Sequence, residues 1–209
     1  MKKLIGITLF LLLFILTACE SGGKFAVHNE TSYPVWVSVD ESEVLELASG
    51  LSHTFNVDTD TQSFLTGEVK RNVKIMLHGE TYSLYYRDDE SDNIIYTDST
   101  TVSIKAGKTL NAFLQPNRAS IKIHNDNPHT ITHAEIWQHK NNVQYRIATL
   151  SDIPYGDNVS LRVDPVSPTN LFYYVVNVIL ENGETLVYGG PETILAIDQQ
   201  FLIEVLPSK

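Results

Sequence analysis

Cysteine is nearly absent from this chain, since Cys19 is the only cysteine among its 209 residues. One thiol cannot form an intramolecular disulfide framework, and it cannot supply the several thiolates of a structural zinc site. Stability must therefore come from a hydrophobic core, for which the 43% of apolar residues provide the material.

Catalytic motifs are also absent. The sequence contains no Gly-x-Ser-x-Gly, no His-Glu-x-x-His and no Gly-x-Gly-x-x-Gly. Gly107-Lys108-Thr109 matches the end of a phosphate-binding loop, but Val102 stands where that loop requires its first glycine. His133-Ala134-Glu135 has the spacing of zinc deaminases, yet the necessary cysteine ligands do not exist. We therefore expect a protein that is not an enzyme.

Positive charge is scarce, with 15 lysines and arginines against 25 aspartates and glutamates. If Lys2 and Lys3 are removed with a signal segment, 13 cations face 25 anions, a charge of about −12. Such an acidic protein is not expected to bind nucleic acid or to be attracted to anionic headgroups.

A run long enough to span a membrane as a helix is missing as well. The uncharged stretch from Leu4 to Ala18 has fifteen residues, whereas a spanning helix needs about 20. Lys2 and Lys3 give it a positive start. Residues 1–18 are therefore predicted to be a secretion signal that the mature protein lacks.

Leu16-Thr17-Ala18-Cys19 resembles the bacterial lipobox. The resemblance implies that Cys19 becomes the mature N-terminus and carries a diacylglycerol, a covalent lipid that attaches the protein to a membrane. Residues 19–23 would form a short lipidated tether. Glu20, where an aspartate would favour inner-membrane retention, favours the outer membrane of a Gram-negative envelope. The alternative is an ordinary secretory signal with a chance cysteine.

The rest of the sequence contains an internal repeat. Four segments recur in the same order: Val27 to Glu30 with Ile123 to Asp126, Phe55 to Asp58 with Leu161 to Asp164, His78 to Thr81 with Asn182 to Thr185, and Thr109 to Leu114 with Phe201 to Leu206. These matches predict a duplicated domain, with copies at residues 24–115 and 119–209.

Nearly every segment after residue 23 has the pattern of a β-strand. Phe172 to Leu180 is rich in aromatic and β-branched residues and is followed by Asn182-Gly183, which predicts a hairpin. His78-Gly79 predicts the same turn in the first copy. Short strands with frequent turn signals indicate an all-β protein of two tandem antiparallel β-sandwiches, immunoglobulin-like or transthyretin-like in arrangement.

Four of the seven histidines lie between Ile121 and Lys140, beside Trp137. Strand alternation predicts that Ala134 and Ile136 face the core. The opposite face would then carry His129, Ile131, His133, Glu135, Trp137 and His139. In the first copy, inward-facing Val35 and Val37 would likewise turn Trp36 outward.

This face has three interpretations. A metal site is disfavoured because residues i and i+4 of a strand lie about 13 Å apart, too far for His133 to share an ion with His129 unaided. The second interpretation is a face without a binding role, which is either exposed or packed against the other domain. The third is recognition of an envelope protein or a glycan by Trp36, Trp137, His133 and Glu135, since tryptophan offers a large rigid contact area.

The acidic loop from Asp88 to Asn93 is a weak candidate for a calcium site, through Asp88, Glu90 and Asp92. Asn93 and Ser99 stand where an EF-hand needs glycine and its bidentate glutamate. The loop also lies in an insertion that the second copy lacks. A solvated loop is the favoured interpretation.

Together these observations predict a membrane-anchored lipoprotein of the bacterial cell envelope that acts as a non-catalytic binding, adaptor or structural module. Two alternatives remain open. One is an envelope enzyme or carbohydrate-processing accessory protein that gathers carboxylates from distant strands, with candidates Asp58, Asp60, Asp164 and Glu135. The other is a calcium-stabilised adhesin.

Overall fold

The computed structural model describes residues 22–60 and 68–207, and the regular elements in those ranges are all β-strands. The all-β prediction is therefore confirmed. The predicted signal segment 1–18 and the lipidation residue Cys19 lie outside the described residues. Within the described ranges, no helix is long and apolar enough to cross a membrane.

The chain divides into two compact units. The first unit consists of residues up to Glu30, Pro34–His78 and Leu84–Leu114. The second unit consists of Thr31–Tyr33, Gly79–Ser83 and Gln115–Lys209. The second unit thus takes in two short segments from early in the chain, for which the sequence repeat gives no signal.

The strands up to residue 114 form two main sheets and one separate hairpin. Their bounds are β1 (Gly23–Asn29), β2 (Val35–Val39), β3 (Leu45–Leu47), β4 (Ser52–Val57), β5 (Lys70–Gly79), β6 (Leu84–Arg87), β7 (Ile94–Thr97), β8 (Ser99–Lys105) and β9 (Thr109–Leu114). One sheet has the order β4-β1-β9, the other β3-β2-β5-β8, and β6 pairs with β7.

The strands of the second unit form two sheets of the same kind. Their bounds are β10 (Ala119–Asn125), β11 (Ile131–Lys140), β12 (Val143–Ile153), β13 (Asn158–Val163), β14 (Tyr173–Leu180), β15 (Thr185–Gly189) and β16 (Gln200–Val205). The orders are β13-β10-β16 and β12-β11-β14-β15. Strand for strand, this repeats the topology of the first unit, which confirms the duplication.

Pairing registers show which repeat matches are correct. Phe25 pairs with Phe55 in the first unit, and Ile121 pairs with Leu161 at the equivalent position of the second. The last strands are offset by one residue from the sequence match, because Asn29 pairs with Leu114 whereas Asn125 pairs with Val205, not Leu206.

The predicted hairpin at His78-Gly79 is wrong. Both residues continue β5, which pairs with β8 rather than with the next strand in sequence. The inserted β6–β7 hairpin lies between β5 and β8 in the chain. A two-residue turn at His78-Gly79 therefore cannot connect β5 to its partner strand β8. In the second unit, the predicted Asn182-Gly183 hairpin is confirmed, since β14 pairs directly with β15.

Each three-stranded sheet contains one parallel pair. β1 pairs with β9 in parallel, and β10 pairs with β16 in parallel. A parallel pair cannot be joined by a short turn, so each pair is connected through the whole intervening repeat. Antiparallel pairing, as predicted, joins β1–β4, β2–β3, β5–β8, β6–β7, β10–β13, β11–β12, β11–β14 and β14–β15.

The core of the second unit lies between its two sheets. Alternating residues of β14 are buried, with Tyr174, Val176 and Val178 at 0% exposure, and they pack with Ile121 and Ile123 of β10. The period of two in this burial arises because successive strand residues point to opposite faces. Burial raises the pKa of Tyr174, whose hydroxyl donates to the backbone oxygen of Asp164.

Ile131 was predicted on the outer face of β11, and this is wrong. Ile131 is fully buried together with Ala134 and Ile136. The register against β14 shifts between Ile131 and His133, so one extra residue enters β11 at this point. Such a bulge reverses the alternation on its N-terminal side and turns Ile131 into the core.

A buried carboxylate lies in one of the early segments that belong to the second unit. Glu80 is only 3% exposed. Lys122 Nζ lies 2.8 Å from Glu80 Oε1, Ser160 donates to the same oxygen, and Gln200 Nε2 donates to Oε2 at 2.6 Å. The buried charge is thus paired and hydrogen-bonded on both oxygens, as burial of a carboxylate requires.

Candidate functional site

The outward row of β11 carries the residues predicted for recognition. His133, Glu135, Trp137 and His139 are half-buried, whereas the alternate residues Ala134 and Ile136 are fully buried. The predicted separation of these two faces is therefore confirmed between His133 and Trp137, whereas Gln138 is half-buried like Trp137 and His139.

Neighbouring strands extend this face on both sides. On β14, Val175 lies opposite Trp137 and Asn177 lies opposite Glu135. On β15, Val187 lies opposite Asn177 and is 65% exposed. The face thus presents an apolar strip beside polar side chains that are capable of hydrogen bonding.

Glu135 links Trp137 to Arg146. Arg146 Nη1 donates to Glu135 Oε1 at 2.6 Å, and the indole Nε1 of Trp137 donates to Glu135 Oε2 at 3.3 Å. The guanidinium carbon of Arg146 also lies 5.8 Å from the centre of the Trp137 ring, within cation–π range. One carboxylate therefore orients both the aromatic ring and the cation. We call Glu135, Trp137, Arg146, Val175 and Asn177 the Trp137 face.

The electrostatics of this group favour a charged glutamate. The hydrogen bond from Arg146 is the main cause that holds the pKa of Glu135 below its ordinary value of 4.5, and the Trp137 hydrogen bond acts in the same direction. Partial desolvation opposes them. A carboxylate with a lowered pKa is a poor proton donor near neutrality, so this group is better suited to binding than to general acid catalysis.

A second register shift brings Arg146 to this position. Ile136 pairs with Ala148, but Trp137 pairs with Arg146, so Ile147 is an extra residue on β12. Ile147 is 42% exposed. Without this bulge, the side chain opposite Trp137 would be isoleucine rather than arginine, and Glu135 would lose its cation.

The face ends in a cleft beside the turn between β11 and β12. The cleft has a volume of about 430 Å³, and its lining contains no Asp, Glu, Lys or Arg. We call it the turn cleft, and its lining residues are His139, Asn141, Asn142, Gln144, Leu171, Phe172, Tyr173 and Ile194. The rings of His139 and Tyr173, a cross-strand pair, stack with centroids 4.8 Å apart.

Two of the side-chain amides that line the cleft belong to the residues of the turn itself. Asn141 and Asn142 have φ angles of 52° and 62°, and Lys140 pairs with Val143 across them. A two-residue hairpin loop with both central residues at positive φ is the type I′ turn, for which asparagine is one of the best residues. Asn141-Asn142 is thus a sequence signal for this turn, but the turn, the turn cleft and the contribution of Arg146 were not among the predictions.

His133 lies at the other end of the row. Its Nδ1 is 3.3 Å from the hydroxyl of Thr132, which itself donates to the carbonyl of Ile179. His129 precedes β11, and its Nδ1 is 3.2 Å from Glu181. In the described part of the chain, no group of three His, Cys, Asp or Glu residues is placed to hold a metal ion.

Trp36 belongs to the first unit and lies on β2. It is half-buried between the fully buried Val35 and Val37, as predicted from the alternation. Its ring centroid is 5.8 Å from that of His78. Among the residues that the structure describes, no carboxylate or guanidinium contacts Trp36 as Glu135 and Arg146 contact Trp137, so the two tryptophans differ in chemistry although their strands are equivalent.

The acidic loop forms the tip of the β6–β7 hairpin. Asp88 accepts a hydrogen bond from Ser91 Oγ, which lowers the pKa of Asp88, and Asp92 pairs with Arg87 at 2.8 Å. Glu90 is exposed, and its backbone N–H donates to Asp88 Oδ1. Asp88, Glu90 and Asp92 are thus not among any metal-holding group of the described residues.

The carboxylates considered for an enzyme are divided between the units. Asp58 and Asp60 lie in the first unit, and Asp164 and Glu135 lie in the second. Asp164 is paired with Arg118, and Glu135 is paired with Arg146. Each of the two carboxylates in the second unit is therefore engaged by an arginine.

A scan against protein-family models found no match, and a search of curated proteins found none. Among solved structures, a candidate cell adhesion protein from Bacteroides uniformis is 7% identical, with a TM-score of 0.34 over 88% of this chain and 93% of that chain. A major pilin from Streptococcus pyogenes is 9% identical, with a TM-score of 0.25 over 88% and 97%.

The tip fimbrial protein of Porphyromonas gingivalis is 11% identical, with a TM-score of 0.23 over 80% of this chain and 81% of that chain. With identities and TM-scores this low, these likenesses carry no argument about function.

Proposed function

We propose that this chain is a membrane-anchored, non-catalytic binding protein of the bacterial cell envelope, and that the Trp137 face and the turn cleft bind a glycan chain. The lipobox-like Leu16-Thr17-Ala18-Cys19 supports the anchor, with Cys19 carrying the lipid. The observation that carries the binding role is the Trp137–Glu135–Arg146 group, in which one carboxylate orients an indole ring and a guanidinium.

The chemistry of this group matches that of a sugar ring. A sugar has an apolar C–H face, which an indole covers well, and hydroxyl groups around its edge that both donate and accept hydrogen bonds. Glu135 can accept from hydroxyls, while Arg146 and Asn177 can donate to them. Because Glu135 and Arg146 are already fixed against each other, little side-chain entropy is lost when a ligand binds.

The turn cleft favours the same class of ligand. Three side-chain amides, from Asn141, Asn142 and Gln144, lie beside the stacked His139 and Tyr173 rings. Amides both donate and accept, as hydroxyl groups do, and the cleft lacks Asp, Glu, Lys and Arg that would select an ion. The distance along β11 from His133 to His139 is about 20 Å, which suits an extended chain.

Binding should be tested by titrating the purified protein, with Cys19 replaced by serine for solubility, with oligosaccharides released from bacterial envelope polysaccharides. Isothermal calorimetry and tryptophan fluorescence would give the affinity. We expect Trp137→Ala to weaken binding by about tenfold or more, as loss of a central aromatic anchor does.

Trp36→Ala is the matched control, because Trp36 occupies the equivalent strand and lacks the Glu135–Arg146 partners. It should leave the affinity unchanged. If folded Trp137→Ala binds every tested oligosaccharide as well as the parent protein, the Trp137 face is not the glycan site. If only a protein ligand binds in a Trp137-dependent manner, the face serves protein recognition instead.

The anchor needs its own test in the native host. We expect metabolic labelling with a fatty acid to label the parent protein and not the Cys19→Ser variant. The parent protein should sediment with membranes, and the variant should be released as a soluble protein. Equal membrane association of both proteins would show that Cys19 is not the anchor.

A further inference from the structure

Four lysines meet at the end of the first unit where β1 begins. Lys70 pairs with Lys105 across β5 and β8. The backbone N–H of Lys108 donates to the carbonyl of Lys105 at 3.1 Å, and the N–H of Lys24 donates to the carbonyl of Lys108 at 2.9 Å. All four residues are exposed. We call Lys24, Lys70, Lys105 and Lys108 the lysine end.

The described carboxylates neutralise little of this charge. Glu68 lies 2.7 Å from Lys105 Nζ. The hydrogen bond from Lys105, and to a smaller extent the charge of Lys70, lowers the pKa of Glu68. Within residues 22–60 and 68–207, no carboxylate forms an ion pair with Lys24, Lys70 or Lys108. Since like charges directly opposite each other destabilise a sheet, the fold itself gains nothing from the Lys70–Lys105 pair.

The second unit has uncharged residues at two of the equivalent positions. The N–H of Ser120 donates to the carbonyl of Gln199 at 3.0 Å, as the N–H of Lys24 donates to the carbonyl of Lys108. The parallel registers of β1 with β9 and of β10 with β16 agree with this equivalence. Because the same sandwich forms with serine and glutamine there, the fold does not require the two lysines.

A cleft of about 360 Å³ opens at the lysine end. Lys24 and Lys108 line it together with the amide residue Asn56 and the hydroxyl residue Thr109. Ammonium, amide and hydroxyl groups all donate hydrogen bonds to phosphate oxygens. Asp58 is the one acidic residue of the lining, and a carboxylate accepts hydrogen bonds from hydroxyl groups. This combination suits a phosphodiester whose other substituent carries hydroxyl groups, as glycerol does.

The distance from the lysine end to the predicted anchor identifies the source of such a group. Gly22 also lines the cleft, and its carbonyl accepts from the N–H of Gly107 at 2.6 Å. Three residue steps separate Gly22 from Cys19, which is at most about 11 Å of extended chain. A lipid on Cys19 would therefore hold the cleft close to the headgroups, where each lysine adds to the attraction of an anionic surface.

We propose that the lysine end binds the headgroups of anionic phospholipids such as phosphatidylglycerol, and that this binding holds the lysine end against the membrane surface. The inference rests on the lipid anchor of the proposed function and not on the glycan site. It refines the expectation from net charge, because four of the 15 cationic residues of this acidic chain lie beside the anchor. The anchor supplies the high local concentration of headgroups that four lysines need.

The test attaches the predicted mature chain, from Cys19 onward, to lipid vesicles. This chain contains every described residue, and Cys19 is its only cysteine, so a lipid with a maleimide headgroup couples at that position alone. The attachment does not depend on lipidation in the host, and a failure of the proposed anchor would appear only in the fatty-acid labelling experiment. Vesicles of phosphatidylcholine are compared with vesicles of equal parts phosphatidylcholine and phosphatidylglycerol.

The rate at which acetic anhydride acetylates each lysine, measured by mass spectrometry, is the readout. We expect Lys24, Lys70 and Lys108 to react about fivefold more slowly on the anionic vesicles, because bound phosphates cover their amines, and high salt should remove the difference. Lys74 is the internal control, since it is exposed on β5 about 13 Å beyond Lys70. It should react at the same rate on both kinds of vesicle.

Variants separate binding in the cleft from a general effect of charge. Lys24→Gln with Lys108→Gln should restore most of the acetylation rate of Lys70 on the anionic vesicles. Lys74→Gln with Lys140→Gln removes the same charge from other strands and should leave Lys70 slow.

Three results would overturn the proposal. The first is that Lys24, Lys70 and Lys108 react equally fast on both kinds of vesicle. The second is equal slowing of Lys74, which would reflect the surface potential rather than a site. The third is slowing of the same size by inorganic phosphate on neutral vesicles, which would make the cleft a site for free phosphate instead of a lipid headgroup.

Discussion

The side-chain Nδ2 of Asn125 lies 2.8 Å from the backbone oxygen of Ile153, in a site where Asn125 is fully buried. The same nitrogen donates to the carbonyl of His129 at 3.0 Å, and Oδ1 accepts from the backbone N–H of Asn127. The first unit repeats the central contact, because buried Asn29 donates to Leu47 O at 2.9 Å. In both repeats an asparagine amide joins the first strand to the end of the third.

We expect Asn125→Ala to destabilise the second unit by about 3 kcal/mol, because it leaves the buried Ile153 carbonyl, the part-buried His129 carbonyl and the Asn127 N–H without their partner. Urea unfolding followed by circular dichroism would measure the loss. Asn158→Ala, at an exposed strand position, is the control and should have little effect. If Asn125→Ala loses no more stability than Asn158→Ala, water has replaced the buried amide of Asn125.

Lys122→Met should destabilise the protein by about 3 kcal/mol, since it leaves the carboxylate of Glu80 buried without its cation. Glu80→Gln in the same background should restore part of the lost stability, because the buried charge is then removed. A double-mutant cycle in urea gives the coupling between the two residues. Lys140→Met is the control for loss of a lysine on the same unit. Additive effects of the two substitutions would contradict this account.

Gly189→Ala should destabilise the protein more than Gly183→Ala. Both glycines have φ near +85°, at 83° and 85°, so both substitutions incur the same backbone strain. At Gly189 an added Cβ would also lie 2.5 Å from the carbonyl oxygen of Tyr174, whereas at Gly183 nothing lies within 4 Å. Thermal unfolding would compare the two variants. Equal melting temperatures would mean that the backbone near Gly189 relaxes freely.

Acid should disrupt the Trp137 group at a pH below 4.5. The pKa of Glu135 in the folded protein is lowered, so its contribution to stability is present above 4.5 and is lost as the pH falls through the lowered folded value. Fluorescence of Trp137, measured with Trp36→Phe to remove the other indole, should report this transition.

Arg146→Met provides the matched comparison for this titration. It removes the hydrogen bond that contributes most to lowering the pKa of Glu135. The pH midpoint of the fluorescence transition should therefore rise toward 4.5. Lys140→Met removes a cation elsewhere on the same sheet and should leave the transition in place. A transition that Arg146→Met does not move would show that Glu135 is not the group that titrates.

Strand positions and the duplication could be predicted from the sequence because they depend on local patterns. The alternation in Tyr173 to Leu180 and the matched Val27-His28-Asn29 and Ile123-His124-Asn125 segments each carry their own signal. From these local patterns alone, the all-β fold and the outward orientation of Trp137 could be predicted.

The pairing registers of the strands could not be predicted from such local patterns. The extra residues in β11 and β12 turn Ile131 inward and place Arg146 opposite Trp137, and both follow from which strand pairs with which. A bulge has no strong sequence signal, since its effect on stability depends on the residues of the neighbouring strand. The hairpin wrongly predicted at His78-Gly79 has the same cause, because the partner strand of β5 is not the next one in the chain.

The parallel pairing of β1 with β9 has a mechanical consequence. The two strands are matched from Lys24 with Thr109 to Asn29 with Leu114, six pairs that run in one direction. The repeat therefore begins and ends at opposite ends of this sheet, and a pull on Gly23 and Leu114 loads all of these inter-strand bonds in shear at once. β10 and β16 repeat the arrangement. Each repeat is thus built to transmit tension along its length rather than to peel open strand by strand.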